Sequence, residues 1–70
     1  MDISSLTIVT AVGVKTHEVS GMVGENQIAT IKKEMLFITG DPYDHYIGRN
    51  KDGEMVFSVN CLVPCEIEYS

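Results

Sequence analysis

The hydrophobic positions of this chain alternate with polar ones at a period of two, which is typical of β-strands that bury one face. The first such run covers residues 6–15. Four apolar side chains share one side of this run: Leu6, Ile8, Val12 and Val14. The run is rich in β-branched residues, which favours a strand over a helix. We therefore predict a strand over residues 6–15 with this face buried.

A β-hairpin is predicted where residues 45–50 and 55–60 flank the pair Asp52-Gly53. Asp-Gly between two strand-like runs is a strong local hairpin signal, because these residues accept the positive φ angles of a tight turn. The odd-numbered positions of the returning strand form its predicted core face: Met55, Phe57 and Val59.

The last strand is predicted over residues 65–69, after a break at Pro64, which has no backbone N–H to donate to a sheet. Its outer face is acidic, since Glu66 and Glu68 alternate with the apolar positions. The inward positions are Cys65, Ile67 and Tyr69.

The middle of the chain has a less regular pattern. Residues 16–23 can form a second strand or extend the first, and residues 24–26 read as a turn. Residues 27–34 fit either a strand or one short helical turn. In both cases we expect them to lead into a buried strand over residues 35–39. Because that run is continuously apolar, we expect both of its faces to be covered. Residues 40–44 are then predicted to form a loop.

These elements predict an all-β fold in a single domain spanning residues 1–70. About five short antiparallel strands, with turn signals at intervals of roughly ten residues, favour a small SH3-like barrel or roll. A chain of 70 residues buries only about 60% of the surface that its unfolded form exposes, so we expect marginal stability.

The segment of residues 37–50 runs from an apolar strand into a turn and then into a second strand. Gly40 and Pro42 anchor the turn, and Ile47 and Gly48 follow in the second strand. This arrangement resembles the KOW motif of NusG-type transcription factors and some ribosomal proteins. In that motif a strand enters a glycine- and proline-containing turn and continues to a characteristic glycine, which Gly48 would match.

The resemblance covers residues 35–69 and implies an SH3-like barrel. In KOW-containing transcription factors the barrel docks on polymerase, Rho or a ribosomal protein, and the resemblance implies such a docking role here. Asn50 stands where these motifs usually carry an apolar residue. The following loop is also shorter and less basic than in members that bind nucleic acid, which favours a protein partner over RNA.

The charge balance gives the same preference. Ten acidic and five basic residues give a formal net charge of −5, which repels a phosphate backbone unless the cations share one face. Two basic pairs are present, Lys32 with Lys33 and Arg49 with Lys51. A protein partner with a basic surface is therefore expected, and nucleic acid is disfavoured.

No cofactor or metal site is predicted. Cys61 and Cys65 enclose a proline, and His17 and His45 lack the paired spacing of zinc ligands. We interpret the cysteines as small buried hydrophobic residues, His17 as exposed, and His45 as a loop residue.

An enzyme is not expected. Asp41 and Asp44 flank Pro42, where aspartate commonly hydrogen-bonds its own backbone. The sequence contains no nucleophile elbow, zinc-protease or Walker pattern. A chain of this length also has little room for a cavity of the usual 300 to 1,000 Å³.

The candidate binding residues surround the predicted strand-loop unit. Aromatic side chains and arginine are enriched at protein interfaces and at base-stacking platforms. We expect Tyr46 to pack in the core. The predicted binding residues are Tyr43, His45, Gly48, Arg49 and Lys51.

The favoured hypothesis is a non-enzymatic module that docks on a protein within transcription or translation machinery. One alternative is a nucleic-acid-binding KOW-type module, and another is an acidic mimic of nucleic acid that inhibits a host protein. Neither an apolar run of 18 residues nor a signal-peptide pattern is present, so we expect no membrane span and a cytoplasmic location. Self-association through an edge strand, with the first strand as the candidate, is also considered.

Overall fold

The computed structural model describes residues 2–70, except for the side chain of Ile38. These residues form strands and turns with no helix, which confirms the all-β prediction. The strands are β1 (Ile3–Thr10), β2 (Gly13–Glu18), β3 (Met22–Val23), β4 (Asn26–Gln27), β5 (Thr30–Ile38), β6 (Asp41–Arg49), β7 (Met55–Asn60) and β8 (Cys65–Tyr69).

The strands form three small antiparallel sheets rather than a closed barrel. Their orders are β2-β1-β8, β3-β4 and β5-β6-β7. Eight strands are present in the described part of the chain instead of the expected five or so, although β3 and β4 have only two residues each. Within the described residues no ladder joins the two three-stranded sheets, so they do not close into a barrel. β1 is flanked by β2 and β8, so it is a central strand and cannot be the exposed edge that the sequence suggested.

The predicted strand over residues 6–15 is instead a hairpin. β1 ends at Thr10, and Ala11 and Val12 form a two-residue turn into β2. The Thr10 hydroxyl closes this turn by donating to the Gly13 carbonyl at 2.8 Å. Val12 is 97% exposed and Val14 is 70% exposed. The prediction that they are buried is wrong, because the hairpin extends past the core.

The region between β2 and β5 contains the small hairpin of β3 and β4. Gly24, with φ of 62°, forms its turn with Glu25 as predicted, whereas Asn26, also predicted in the turn, begins β4. Residues 27–34 contain no helix, and β5 begins at Thr30. The two alternatives left open for this segment are therefore decided in favour of a strand.

β5 and β6 form a long hairpin. The prediction of a loop over residues 40–44 is wrong, because β6 begins at Asp41. Only Thr39 and Gly40 turn the chain, with φ of 49° and 86°. Positive φ at both central residues matches the tight turn that suits the twist of a hairpin. Strand pairing resumes immediately, since Asp41 lies opposite Ile38 and Pro42 lies opposite Phe37.

The β6–β7 hairpin is present as predicted, with its turn over residues 51–53. The Asn50 side-chain oxygen accepts hydrogen bonds from the amides of Asp52 and Glu54, each at 3.0 Å. The register shifts between Gly48 and Arg49. This bulge places Met55 outside the core, at 53% exposure, although we predicted it to face inward.

The core lies between the two three-stranded sheets. Leu6 and His17 pair across β1 and β2, and His17 stacks on Phe57 of β7, so these faces meet. The buried apolar residues are Ile3, Leu6, Ile28, Ile31 and Ile47. Tyr46 is half-buried and packs against this core, which confirms its predicted core role.

The expectation that residues 35–39 are covered on both faces is wrong. Met35 is 57% exposed and Phe37 is 73% exposed, and the Ile38 side chain lies outside the described residues. The reason is length: β7 pairs with β6 only from His45 onward, so the far half of the β5–β6 hairpin extends beyond its sheet neighbour.

The C-terminal strand is present as predicted, but Tyr69, predicted to face inward, is 54% exposed. The chain leaves the β7 ladder after Asn60, turns, and enters β8 at Cys65, just after Pro64. Glu66 and Glu68 are exposed, as expected for an acidic outer face.

Candidate interaction surfaces

The predicted binding residues lie on β6 and in the turn that follows it. Tyr43, His45 and Arg49 share one face of β6, because side chains two positions apart point the same way. Gly48 belongs to the opposite face, and Lys51 lies in the turn. β6 is the central strand of its sheet, and Tyr43 and Arg49 are about 20 Å apart along it at ~3.3 Å per residue. The structure therefore does not gather these residues into one compact site.

Arg49 is held by contacts within the chain. Its Nε and Nη2 atoms donate to the two carboxylate oxygens of Glu34 at 3.0 and 2.9 Å, and Nη1 donates to the Gly53 carbonyl at 2.9 Å. The paired hydrogen bonds to the guanidinium hold the pKa of the Glu34 carboxyl below its usual value. The same hydrogen bonds raise the pKa of Arg49. This fork-to-fork geometry leaves little of the guanidinium for another molecule.

The Arg49–Glu34 pair lies on the same face of the sheet as Ile47. Arg49 lies opposite Thr30, and Glu34 lies four residues farther along β5, a distance of about 13 Å. The two side chains can meet only by lying flat along the sheet. The Ile47 position lies between them on this face, and its side chain is fully buried. The long Arg49 and Glu34 side chains therefore span the face of the sheet on which Ile47 lies.

Gly48 lies beneath an aromatic stack. A Cβ atom at this position would come within 2.9 Å of Phe57 Cζ and closer still to Cε2 and Cδ2. On its other side the Phe57 ring stacks against His17, with ring centroids 4.2 Å apart and planes 13° apart. Gly48 is therefore a packing residue that makes room for a ring.

Both histidines are buried. This corrects the predicted exposure of His17, and the position of His45 within β6 corrects its prediction as a loop residue. His17 is 8% exposed, and burial, followed by the nearby charge of Lys15, lowers its pKa. His45 is 6% exposed, and its Nδ1 lies 3.1 Å from the carbonyl of Tyr43. His17 is buried against Phe57 of β7, which is distant from it in the sequence.

The basic residues do not converge. Lys33 contacts Asp44 at 3.8 Å, with both side chains about half exposed, whereas Lys51 is exposed in the β6–β7 turn. Lys32 makes no ion pair with the described residues. Together with the engaged Arg49, these positions leave no continuous cationic face in the part of the chain that the structure describes.

The sequence did not identify an exposed apolar surface formed by two turns. The amide of Val9 donates to the carbonyl of Pro64 at 3.1 Å, which places the β7–β8 turn beside the end of the β1–β2 hairpin. We call this surface the apolar tip; its members are Val9, Val12, Val14 and Leu62, which are 42%, 97%, 70% and 84% exposed. The alternation of residues 6–15 hid it, because the turn at Val12 could not be distinguished from a continuing strand.

The two cysteines lie near each other and near Tyr46. Both thiols are free and half-buried, and Cys65 Sγ donates to the Val63 carbonyl at 3.2 Å. Burial, followed by the proximity of Cys61, raises the pKa of the Cys65 thiol. Burial raises the pKa of the Tyr46 phenol as well. Among residues 2–70, no group of three or more His, Cys, Asp or Glu side chains is arranged to hold a metal ion.

An open cleft separates the start of β5 from the ends of β1 and β8. Its volume is about 370 Å³, and its lining includes Ile3, Ile31, Tyr46 and Tyr69. Lys32 and Lys33 lie along its β5 side. The cleft is the opening left where the two sheets do not join.

Comparisons with protein-family models, curated proteins and solved structures found no match for this chain. Its functional interpretation therefore rests on its own surfaces. In the described region, no helix has the length and apolar character needed to cross a membrane.

Proposed function

We propose that this protein is a non-enzymatic interaction module that docks on a protein partner through the apolar tip. The observation that carries the proposal is the exposure of Val12 and Leu62, at 97% and 84%. They lie on two turns, and a backbone hydrogen bond between Val9 and Pro64 brings together the segments that lead into these turns. Exposed apolar patches are characteristic of interaction sites.

The surrounding charge indicates the kind of partner. Glu66 pairs with Thr7 on the outer face of the β2-β1-β8 sheet, where the register also places Val9 and Val14. The chain as a whole carries a net charge of −5. A protein surface with an apolar pocket bordered by Lys or Arg is complementary to this arrangement, because opposite potentials speed encounter and fix orientation.

The KOW resemblance supports the same class of role. The residues that carry the resemblance include Gly40 in the turn and Gly48 in the second strand. In transcription factors, the barrel that contains this motif serves as a docking surface. We accordingly propose that the partner belongs to the transcription or translation machinery, and that the open sheets are related to an SH3-like barrel.

Nucleic-acid binding has less support. Arg49 is engaged by Glu34 and Gly53, and Lys33 lies beside Asp44. Binding through phosphates would require these cations to be released. Titration with RNA and DNA would separate the two roles, since phosphate-driven affinity falls steeply as salt rises.

The experiment compares partner capture by four tagged forms of the full chain: wild type, Val12→Asp, Leu62→Asp and Met22→Asp. Met22 is 60% exposed in the β3–β4 hairpin, so Met22→Asp controls for adding a carboxylate to an exposed apolar site. Exposed substitutions of this kind usually change stability by less than about 0.5 kcal/mol. Circular dichroism confirms that each form is folded.

We expect wild type and Met22→Asp to retain the same protein from an extract of the source cell, and both tip variants to lose it. Direct titration with that purified protein should give the same order of affinity. Equal affinity of all four forms would overturn the docking proposal, as would retention of nucleic acid alone.

A further inference from the structure

β5 is an edge strand whose two halves differ. β6 pairs with one side of it, and no strand pairs with the other side among the described residues. The first half carries Lys32 and Lys33, and lysine on an edge strand discourages pairing with other chains. The following residues 35–38 carry no charge, and Met35 and Phe37 are largely exposed. This half is an unprotected edge of the kind that accepts another strand.

We propose that the strand it accepts is β5 of a second copy of this chain. The two strands would run antiparallel over residues 32–38, with a two-fold axis through Met35. The resulting sheet would have six strands, since each copy contributes β5, β6 and β7. This inference concerns a surface other than the apolar tip, and it does not depend on the docking function.

The charge pattern of β5 selects this register. Directly opposite residues in an antiparallel pair lie on the same face of the sheet. A two-fold axis perpendicular to a continuous sheet must therefore pass midway between a residue and its own copy, and we name each axis by that residue. An axis through Lys33 opposes two ammonium groups, and an axis through Glu34 opposes two carboxylates. Like charges directly opposite each other destabilise a strand pair, so both registers are unfavourable.

An axis through Phe37 would pair only residues 36–38, because β5 ends at Ile38. The remaining choice is between axes through Met35 and Leu36. With the axis through Met35, Lys32 lies opposite position 38 of the second copy. Within that second copy, position 38 is paired with Asp41 of β6. Lys32 and the second copy's Asp41 are then on one face, about 10 Å apart between backbones, a separation that their side chains can span. With the axis through Leu36, Glu34 takes that place and faces Asp41 with the same charge.

The Met35 register also pairs two opposite charges that are not in an ion pair in the single chain. Neither Lys32 nor Asp41 forms an ion pair with the residues that the structure describes. Lys33 would face the second copy's Phe37, where an ammonium group can lie over the aromatic ring. Met35 and Phe37, at 57% and 73% exposure, would be partly covered. A domain of this size buries little apolar surface by itself, so the additional burial at a dimer interface would stabilise it.

The first test measures molar mass by analytical ultracentrifugation over a range of protein concentrations. We expect wild type to pass from monomer to dimer, and Met35→Lys to raise the dimer dissociation constant at least tenfold, because it places two ammonium groups on the axis. Met55→Lys is the matched control, since Met55 is similarly exposed but lies on β7, and it should dimerise like wild type. Circular dichroism verifies the fold of each variant.

The second test examines the register by charge exchange. Lys32→Asp and Asp41→Lys should each weaken dimerisation several-fold, and the double variant should restore it. A wild-type chain that stays monomeric at all concentrations would overturn the proposal. So would dimers that Met35→Lys leaves intact, or single variants that the exchange does not rescue. Leu62→Asp should dimerise normally, which separates this result from the docking test.

Discussion

Replacing Gly48 with alanine tests the stack that joins the two large sheets. The added methyl group would lie within 2.9 Å of Phe57 Cζ and nearer to two other ring carbons, so the ring must move. It cannot withdraw freely, because His17 stacks on its other side with centroids 4.2 Å apart. The φ angle of Gly48 is not positive, so alanine fits the backbone there. The predicted effect therefore comes from crowding of the Phe57 ring and not from backbone strain.

The expected cost can be estimated from two opposing effects. Overpacking a filled core costs about 1–3 kcal/mol, whereas replacing a strand glycine with alanine recovers about 0.5–1 kcal/mol of backbone entropy. Since the ring is confined on both sides, we expect Gly48→Ala to lower the free energy of unfolding by about 2 kcal/mol. For a domain of this size that corresponds to a fall of roughly 8–16 °C in Tm.

Urea denaturation followed by circular dichroism measures this change. Phe57→Leu should be destabilising alone but should relieve the crowding in the Gly48→Ala background, so the double variant should be more stable than the sum of the single effects predicts. Ser58 follows Phe57 in the sequence and is exposed. Ser58→Ala is therefore a control, and its stability is expected to stay within about 0.5 kcal/mol of wild type. Stability of Gly48→Ala close to that of wild type, or strictly additive effects with Phe57→Leu, would refute the packing argument.

Two further changes test individual contacts. Because burial lowers the pKa of His17 in the folded chain, its stabilising effect is complete above the unfolded pKa of about 6.5 and is lost as pH falls below it. His17→Phe keeps an aromatic ring and should show a smaller loss of unfolding free energy than wild type between about pH 7.5 and pH 5; identical losses would contradict this role. Asn50→Ala removes an acceptor that bonds two turn amides at 3.0 Å and should cost about 0.5–1.5 kcal/mol in urea denaturation. Asn50→Asp, which keeps an acceptor oxygen, should retain most of the stability, and equal loss in both variants would argue against the turn hydrogen bonds.

Several parts of the fold follow from local sequence alone. The Asp52-Gly53 pair predicts the β6–β7 hairpin because turn geometry depends on only a few residues. Pro64 predicts the break before β8 because it lacks an amide hydrogen. The acidic outer face of β8 follows from strict alternation, since neighbouring side chains of a strand point to opposite faces.

Local pattern failed where an element passes beyond the core. Val12 and Val14 continue the period of β1, and Phe37 continues the apolar run of β5, yet all three are exposed. Periodicity shows which residues share a face, but it does not show how far the opposing sheet extends to cover that face. The apolar tip and the open half of β5 were therefore missed.

The roles of the candidate site residues depended on pairings between distant segments. The sequence predicted that Arg49 is available for binding, but the β5–β6 register places Glu34 within hydrogen-bonding distance of it. The sequence predicted that His17 is exposed, but the folded chain packs it against Phe57. Composition and turn chemistry determined that this chain is built of strands and where several of them turn. Only the three-dimensional register decided which charges neutralise each other and which apolar side chains remain exposed, because both depend on contacts between residues far apart in the chain.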